Sequence, residues 1–234
     1  GVLDVAGTIV AQGTYSQPIV FSLGTGDGPQ WIGIRFAQSA TDAVFDSSGR
    51  YVVGSILSNV EISGAQIGLD LAGRSPYVTK SRFLNNGIGI KTWAAFESTS
   101  RIHIEDSYFF DNGIESNGGE TIKGNRFEHF VSPYTGCSID LHGGSPLIIQ
   151  NSFSEALCAI KGWAWYPAII SNTIYGSTDN SIDVTIVPQD HIDQAPRPEL
   201  LGIPKVLGVG AFENHTCTWR DDDSMQCWGS NSNG

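Results

Sequence analysis

An all-β solenoid is the fold class this sequence predicts, and three observations predict it. The first is a column of anchors, Phe83, Phe109, Phe127 and Phe153, preceded by Ile62 and followed by Ile174, at intervals of 21, 26, 18, 26 and 21 residues. The second is a pair of apolar columns in step with the anchors. Leu57, Val78, Ile104, Ile122, Ile148 and Ile169 stand five residues ahead of them, and Ile67, Ile88, Ile114, Ile139, Ile160 and Ile182 follow. The third is polar: Ser81, Ser107, Asn125, Asn151 and Asn172 each precede an anchor by two. Repeats of this length mark units that bury their apolar faces only by stacking on neighbours. The segments are short, rich in Ile, Val and Phe, and bounded by Gly, Asn and Ser, which predicts strands; no window sustains an apolar period of 3.6.

Taken in order, the chain opens with Val5 to Thr14 and Pro18-Ile19-Val20-Phe21, which read as first coils, and Trp31 to Phe36 reads as the next rung. Gly24 to Gly28 between them is a loop by composition. Ala37 to Gly54 carries little pattern and is expected as a loop or lateral hairpin. Regular coils run from Ile56 to Val187. Their uneven lengths require insertions to leave through loops while equivalent residues stay one strand spacing, about 4.8 Å, apart. The anchors then form an internal stack of rings, and the Ser/Asn column an internal ladder of paired polar groups. Unpaired, each buried amide would cost about 1–3 kcal/mol. This pattern resembles the right-handed parallel β-helix superfamily, the pectate-lyase-like fold, over residues 1–187 and about eight coils.

Pro188, Pro196, Pro198 and Pro204 punctuate residues 188–204, a linker in which strand ladders cannot continue. Residues 205–234 read differently. Gly208-Val209-Gly210-Ala211, His215-Thr216-Cys217, Cys227-Trp228-Gly229-Ser230-Asn231 and Gly234 resemble one incomplete repeat of the chromosome-condensation-regulator type of β-propeller.

With 13 Lys and Arg against 24 Asp and Glu the formal net charge is −11. Such a field repels nucleic acid, and no basic cluster with interleaved aromatics offsets it. No apolar run approaches the ~20 residues of a membrane span. The chain opens inside a β pattern, Gly1-Val2-Leu3-Asp4-Val5, as a mature or trimmed chain would. Cys137 and Cys158 stand two places before Ile139 and Ile160 in one column, so stacking brings them within disulfide reach. Cys217 and Cys227 flank an Asp-rich turn, as a cross-strand bridge in a hairpin would. Two such pairs predict an oxidising compartment, extracellular or at the cell surface.

Chemistry is expected where outward side chains line up rung on rung. Beside the third column these are Gly68, Gly89, Glu115, Asp140, Lys161 and Asp183; two residues on come Asp70, Lys91, Asn117, His142, Trp163 and Thr185. Glu115, Asp140, His142 and Lys161 gather within three rungs, or roughly 10 Å, with Trp163 and Trp165 beside them and Trp93 above. Tryptophan faces stack on sugar rings while carboxylates and imidazole bond hydroxyls, so a glycan or polysaccharide is the expected ligand of Lys91, Trp93, Glu115, Asn117, Trp163 and Trp165. Asp140-Leu141-His142 resembles the Asp-x-His element of β-helix polysaccharide epimerases, with Leu141 where Pro is usual. That resemblance implies an alternative role as lyase or epimerase, with Asp140, His142 and Lys161 catalytic. A solvated charge ladder is the third reading of the same strip, and packing under the loop to Pro167 another for Trp163 and Trp165. His103 and His129 read as surface residues near coil corners. Asp111-Asn112, Asp179-Asn180 and Asp221 to Asp223 offer hard oxygens that suit Ca²⁺, but their spacing is that of ordinary turns, and no metal site is expected. The open edges at the coil ends predict self-association into filaments as a further alternative.

Overall fold

The structure is a computed structural model that describes residues 1–23, 31–93, 102–129, 137–176 and 182–186, and the backbone of 206–212, 215–220 and 225–229. It is an all-β solenoid, a parallel β-helix in which each coil contributes one strand to each of three sheets.

The first coil holds β1 (Val2–Val5), β2 (Val10–Gln12) and β3 (Ile19–Ser22). The second begins with β4 (Gly33–Phe36), leaves through a hairpin of β5 (Val44–Phe45) and β6 (Tyr51–Val53), and returns as β7 (Ile56–Ser58) and β8 (Val60–Ser63). β9 (Ile67–Asp70), β10 (Tyr77–Thr79) and β11 (Arg82–Leu84) make the third. The fourth is β12 (Ile88–Lys91), β13 (His103–Glu105) and β14 (Tyr108–Phe110). In the fifth stand β15 (Ile114–Ser116), β16 (Thr121–Lys123) and β17 (Arg126–Glu128). The sixth runs β18 (Ile139–His142), β19 (Leu147–Ile149) and β20 (Ser152–Ser154), and the seventh β21 (Ile160–Ala164), β22 (Ala168–Ile170) and β23 (Thr173–Tyr175). β24 (Ile182–Ile186) opens an eighth. Sheet A stacks β1, β4, β9, β12, β15, β18, β21 and β24; sheet B takes the second strand of each coil and sheet C the third. A separate antiparallel sheet of β25 (Val206–Phe212), β26 (His215–Arg220) and β27 (Met225–Gly229) follows. Residues 188–204 lie outside those described.

Register confirms the first two apolar columns. Leu57, Val78, Ile104, Ile122, Ile148 and Ile169 pair in sheet B, with Ala11 before them. Ile62, Phe83, Phe109, Phe127, Phe153 and Ile174 pair in sheet C. The four phenylalanine rings stack nearly parallel, their centroids 4.8, 4.7 and 4.9 Å apart, which is the strand spacing itself. The third column needs a correction. Ile114, Ile139, Ile160 and Ile182 stand under Leu69 and Ile90, not under Ile67 and Ile88. Ile67 and Leu69, like Ile88 and Ile90, are apolar residues two apart, so periodicity alone cannot separate them. Gly68 and Gly89 lie inside, where a Cβ would meet the rings of Phe83 and Phe109 at 3.3 and 3.1 Å.

The polar ladder runs through the corner between sheets B and C. Ser107 Oγ accepts from Ser81 N, Asn125 Oδ1 from Ser107 N, Asn151 Oδ1 from Asn125 N, and Asn172 Oδ1 from Asn151 N. The amide nitrogens of Asn125, Asn151 and Asn172 donate to the carbonyls of Ile104, Ile122 and Ile148 at 2.8–2.9 Å. Just before each ladder residue the chain turns through a left-handed residue: Lys80, Asp106, Gly124, Gln150 and Ser171, with φ between 50° and 66°. Asn85, Asp111, His129 and Glu155 repeat the device between sheets C and A. Left-handed backbone costs a non-glycine residue about 1–2 kcal/mol. Each of these N–H groups donates to the next coil where the stack continues, as Gln150 N does to Ile170 O and Glu155 N to Tyr175 O.

Cys137 and Cys158 form a disulfide across adjacent coils, their Cα atoms 4.7 Å apart. Cys217 stands opposite Cys227 in the β26–β27 register; their side chains lie outside those described. The 37–54 excursion is the lateral hairpin, laid on the outer face of sheet B. Phe45 stacks on His103 at 4.2 Å and meets Tyr77 edge-on at 5.2 Å, and Tyr51 stacks on Tyr77. Its turn is tied by Asp46, whose carboxylate accepts from Ser48 and Arg50 and is held at about 2 chiefly by the Ser48 hydroxyl. His103, the first residue of β13, is therefore covered by the hairpin and is not a bare surface residue. Its Nδ1 lies 3.2 Å from Glu105 Oε1, and the Tyr77 hydroxyl donates to Glu105 Oε2.

Two outcomes follow. Asn151→Ala orphans the N–H of Asn125 and the carbonyl of Ile122, and should lower stability by about 3 kcal/mol, read as a lower denaturant midpoint at unchanged slope. Glu105 is held below its ordinary 4.5 mainly by the hydrogen bond with His103. A lowered carboxylate stabilises above its unfolded pKa, and that contribution is lost as pH falls from 4.5 through the folded value. Urea melts at neutral pH and at about pH 3 should show a smaller acid loss in Glu105→Gln than in the parent chain.

Candidate functional site

Sheet A faces outward with two parallel files. The first is Asp4, Arg35, Asp70, Lys91, Glu115, Asp140, Lys161 and Asp183, one residue per coil. Two residues further along the chain in each coil comes the second, of which Trp93, Asn117, His142, Trp163 and Thr185 concern the site. Asp70 and Lys91 thus belong to the first file, where Gly68 and Gly89 were expected, and Trp93 stands in the second. The same two-residue slip accounts for both.

Unlike charges alternate down the first file, as stacking 4.8 Å apart requires, with one exception. Glu115 and Asp140 are consecutive carboxylates. Lys91 Nζ takes both oxygens of Glu115 at 2.9 and 3.0 Å. His142 Nε2 stands 3.5 Å from Asp140 Oδ2 and 4.0 Å from Glu115 Oε1, so the imidazole lies near both carboxylates. Lys161, beside Asp140 in the register, makes no ion pair among the described residues and is exposed. Of the three residues expected to be catalytic, Asp140 and His142 come together; the Lys161 ammonium remains in solvent.

The tryptophans are seated differently. Trp93 donates its indole N–H to Asp70 Oδ1 at 2.9 Å and carries the Lys91 ammonium 4.6 Å over its ring, while more than half of it is exposed. Trp163 lies across Gly143, where a Cβ would come within 3.1 Å of its Cη2. Gly143 has a φ of +127° as well, so glycine is required there twice over. Trp165 is half-buried, its ring centroid 6.5 Å from that of Trp163.

Beneath the strip lies a group that sequence reasoning missed. Glu120 is 2% exposed, and its two oxygens accept from Thr92 Oγ1 and Ser116 Oγ, each at 2.6 Å. Thr92 Oγ1 in turn accepts from Asn117 N, and Asn117 Nδ2 donates to the Thr92 carbonyl. Thr92 separates Lys91 from Trp93, and Ser116 separates Glu115 from Asn117. One buried carboxylate therefore pins the two inward residues whose neighbours make half the strip. Its only trace in the sequence is a lone Glu after Gly118-Gly119, which no column contains.

The other outward faces close on themselves. On sheet C, Tyr108 donates to Glu128 Oε2 at 2.6 Å and Arg126 pairs with the same carboxylate. Partial burial, then that acceptor, pushes the Tyr108 phenol up to about 12. His129 sits at a corner and stacks on Phe110. Among the described residues no three His, Cys, Asp or Glu side chains gather around a common point for a metal ion. Asp111-Asn112 forms a corner in which Asn112 Nδ2 bonds the carbonyls of Phe83 and Phe110; Asp179-Asn180 and Asp221 to Asp223 lie outside the described residues.

Comparison with protein-family models, with curated proteins and with solved structures finds no match to this chain. Fold and strip define a class: an all-β parallel β-helix with one outward face of files of charge and tryptophan. No helix among the described residues is long and apolar enough to cross a membrane.

Removing the hidden carboxylate tests the support of the strip. Glu120→Ala leaves two buried hydroxyls without an acceptor and should cost about 2–3 kcal/mol in stability, with a shift in tryptophan emission as Trp93 loosens. Glu120→Gln, which keeps the acceptor oxygen, should retain most of both.

Proposed function

We propose that this chain is a secreted or cell-surface binding module that holds a glycan along the outward strip of sheet A. One observation carries the reading: Trp93 and Trp163, both substantially exposed, each stand two residues past the charged file on coils three apart, about 14 Å at one strand spacing per coil, with Asn117 and His142 at the same position on the coils between. Sugar rings offer apolar faces to indoles and hydroxyls to amides, imidazoles and carboxylates, and a regular coil presents these at regular intervals. The unpaired Lys161 favours a glycan carrying an acidic group near Trp163. The disulfide suits the oxidising compartment that this role needs, and the C-terminal three-stranded sheet fits a propeller-type repeat joined to the module through residues 188–204.

A second reading, polysaccharide lyase or epimerase, rests on the 3.5 Å approach of His142 to Asp140 with Lys161 one rung away. Abstraction of the proton alpha to a uronate would use Lys161 or His142 as base. The binding role is favoured because His142 lies near two carboxylates and Lys91 is locked onto Glu115.

A glycan array probed with the chain, followed by titration of whatever is retained, tests the proposal. Trp163→Ala and Trp93→Ala should each weaken binding about tenfold, the equivalent of ~1.4 kcal/mol. Unchanged binding in both variants would sink it. New ultraviolet absorbance on uronate polymers, lost in Lys161→Ala, would establish the second reading instead.

A further inference from the structure

One choice in the coil is left open by its apolar pattern. From an inward residue of sheet C to the inward residue that follows in sheet A, the chain takes five residues between Phe109 and Ile114, but seven between Phe83 and Ile90 and between Phe153 and Ile160. The corner therefore accepts both lengths. In the shorter setting, the corner after Phe153 would put Cys158 beside Ile139 and Ile160 beside Leu141. Cysteine packs as a small hydrophobe, so apolar residues would still meet on the inward face. The observed register is the longer one, with Ile160 beside Ile139.

The strip depends on that choice. As observed, Lys161 stands beside Asp140 and Trp163 beside His142, with the indole lying across Gly143. In the shorter setting β21 would slide along β18, Lys161 would stand beside His142, and Trp163 would pass the end of the strand. At other corners an amide helps to hold the chain. Asn86 and Asn112, each at the third position after its phenylalanine, donate to the carbonyls of Ile62 and Phe83 in the coil before. The same position after Phe153 is Ala156, which has no such donor. Here the tie is covalent. Cys137 and Cys158 are 1% and 5% exposed, and their Cα atoms stand 4.7 Å apart. In the slid register they would lie one coil and two strand residues apart, roughly 8 Å, past the ~7 Å that a disulfide spans.

From this we propose that the Cys137–Cys158 disulfide is the positioning element of the strip. It selects the register of β21, and so seats Trp163 beside His142 and Lys161 beside Asp140. The consequence for binding rests on the glycan-holding role; the register itself rests on the geometry alone.

Cys137→Ser together with Cys158→Ser removes the bond in the 234-residue chain. Titrated with an acidic oligosaccharide that the parent retains on the array, this variant should bind about tenfold more weakly. Trp163→Ala should then weaken it no further, while Trp93→Ala still does, because only the first acts through the lost register. Register is also read without a glycan. In the double serine background, His142→Cys with Lys161→Cys should cross-link on mild oxidation, and Asp140→Cys with Lys161→Cys should not. If the parent retains no glycan, the binding role falls and the cross-link still decides the register. If the double serine variant does not fold, the folded parent reduced with a water-soluble phosphine replaces it: tryptophan emission should shift as Trp163 leaves Gly143, and return on reoxidation. Cross-linking confined to the Asp140 and Lys161 positions, or parental affinity and emission without the bond, would overturn the proposal and leave the disulfide a staple for stability alone.

Discussion

Parallel strands that climb one coil at a time place each residue 4.8 Å from its counterpart in the next, and this spacing governs everything else in the molecule. Like is stacked on like. Inside, that rewards rings that lie flat on one another and aliphatic columns with no voids, and the phenylalanine file at 4.7–4.9 Å meets the condition without bending the backbone. Outside, the same spacing would set like charges side by side, so the sheet A file alternates sign. At the one breach, Glu115 above Asp140, Lys91 pairs with Glu115 and the His142 ring stands 3.5 Å from Asp140.

Stacking also makes polar interiors tolerable. A single buried asparagine would be a liability, whereas Asn125, Asn151 and Asn172 satisfy one another and the main chain at each step. The left-handed corners work by the same logic. Residues such as Gln150 and Glu155 bear torsional cost, and the rung-to-rung bond made by each strained N–H offsets it. Glu120 extends the principle to an ionisable group: enclosed by two hydroxyls, it ties consecutive coils under the strip. Repetition fails on the outer face at the doubled carboxylates and at the tryptophans.

Much of this was readable from residues alone, and the exceptions are instructive. The Phe and Asn columns could be placed because their side chains recur at fixed offsets within each coil. Cys137 and Cys158 followed, since both precede the same column by two. The start of sheet A could not be placed, because Ile67-Gly68-Leu69 and Ile88-Gly89-Ile90 offer two apolar residues of one parity, and there Gly68 and Gly89 lie inside against the rings of Phe83 and Phe109. That slip carried Asp70 and Lys91 into the wrong file and left Trp93 outside both. The left-handed corners use Lys, Asp, Gly, Gln and Ser in turn and so leave no compositional trace.

Sequence alone determined the class of fold, the stacking residues, the cross-coil disulfide and the membership of the strip from Glu115 to Trp163, because each is a property of recurrence along the chain. Tertiary structure alone decided that the hairpin at 44–53 covers His103 and that Glu120 lies beneath Thr92 and Ser116. Those are contacts between segments with no shared period, and spacing along a chain carries no information about which of its irregular parts will touch.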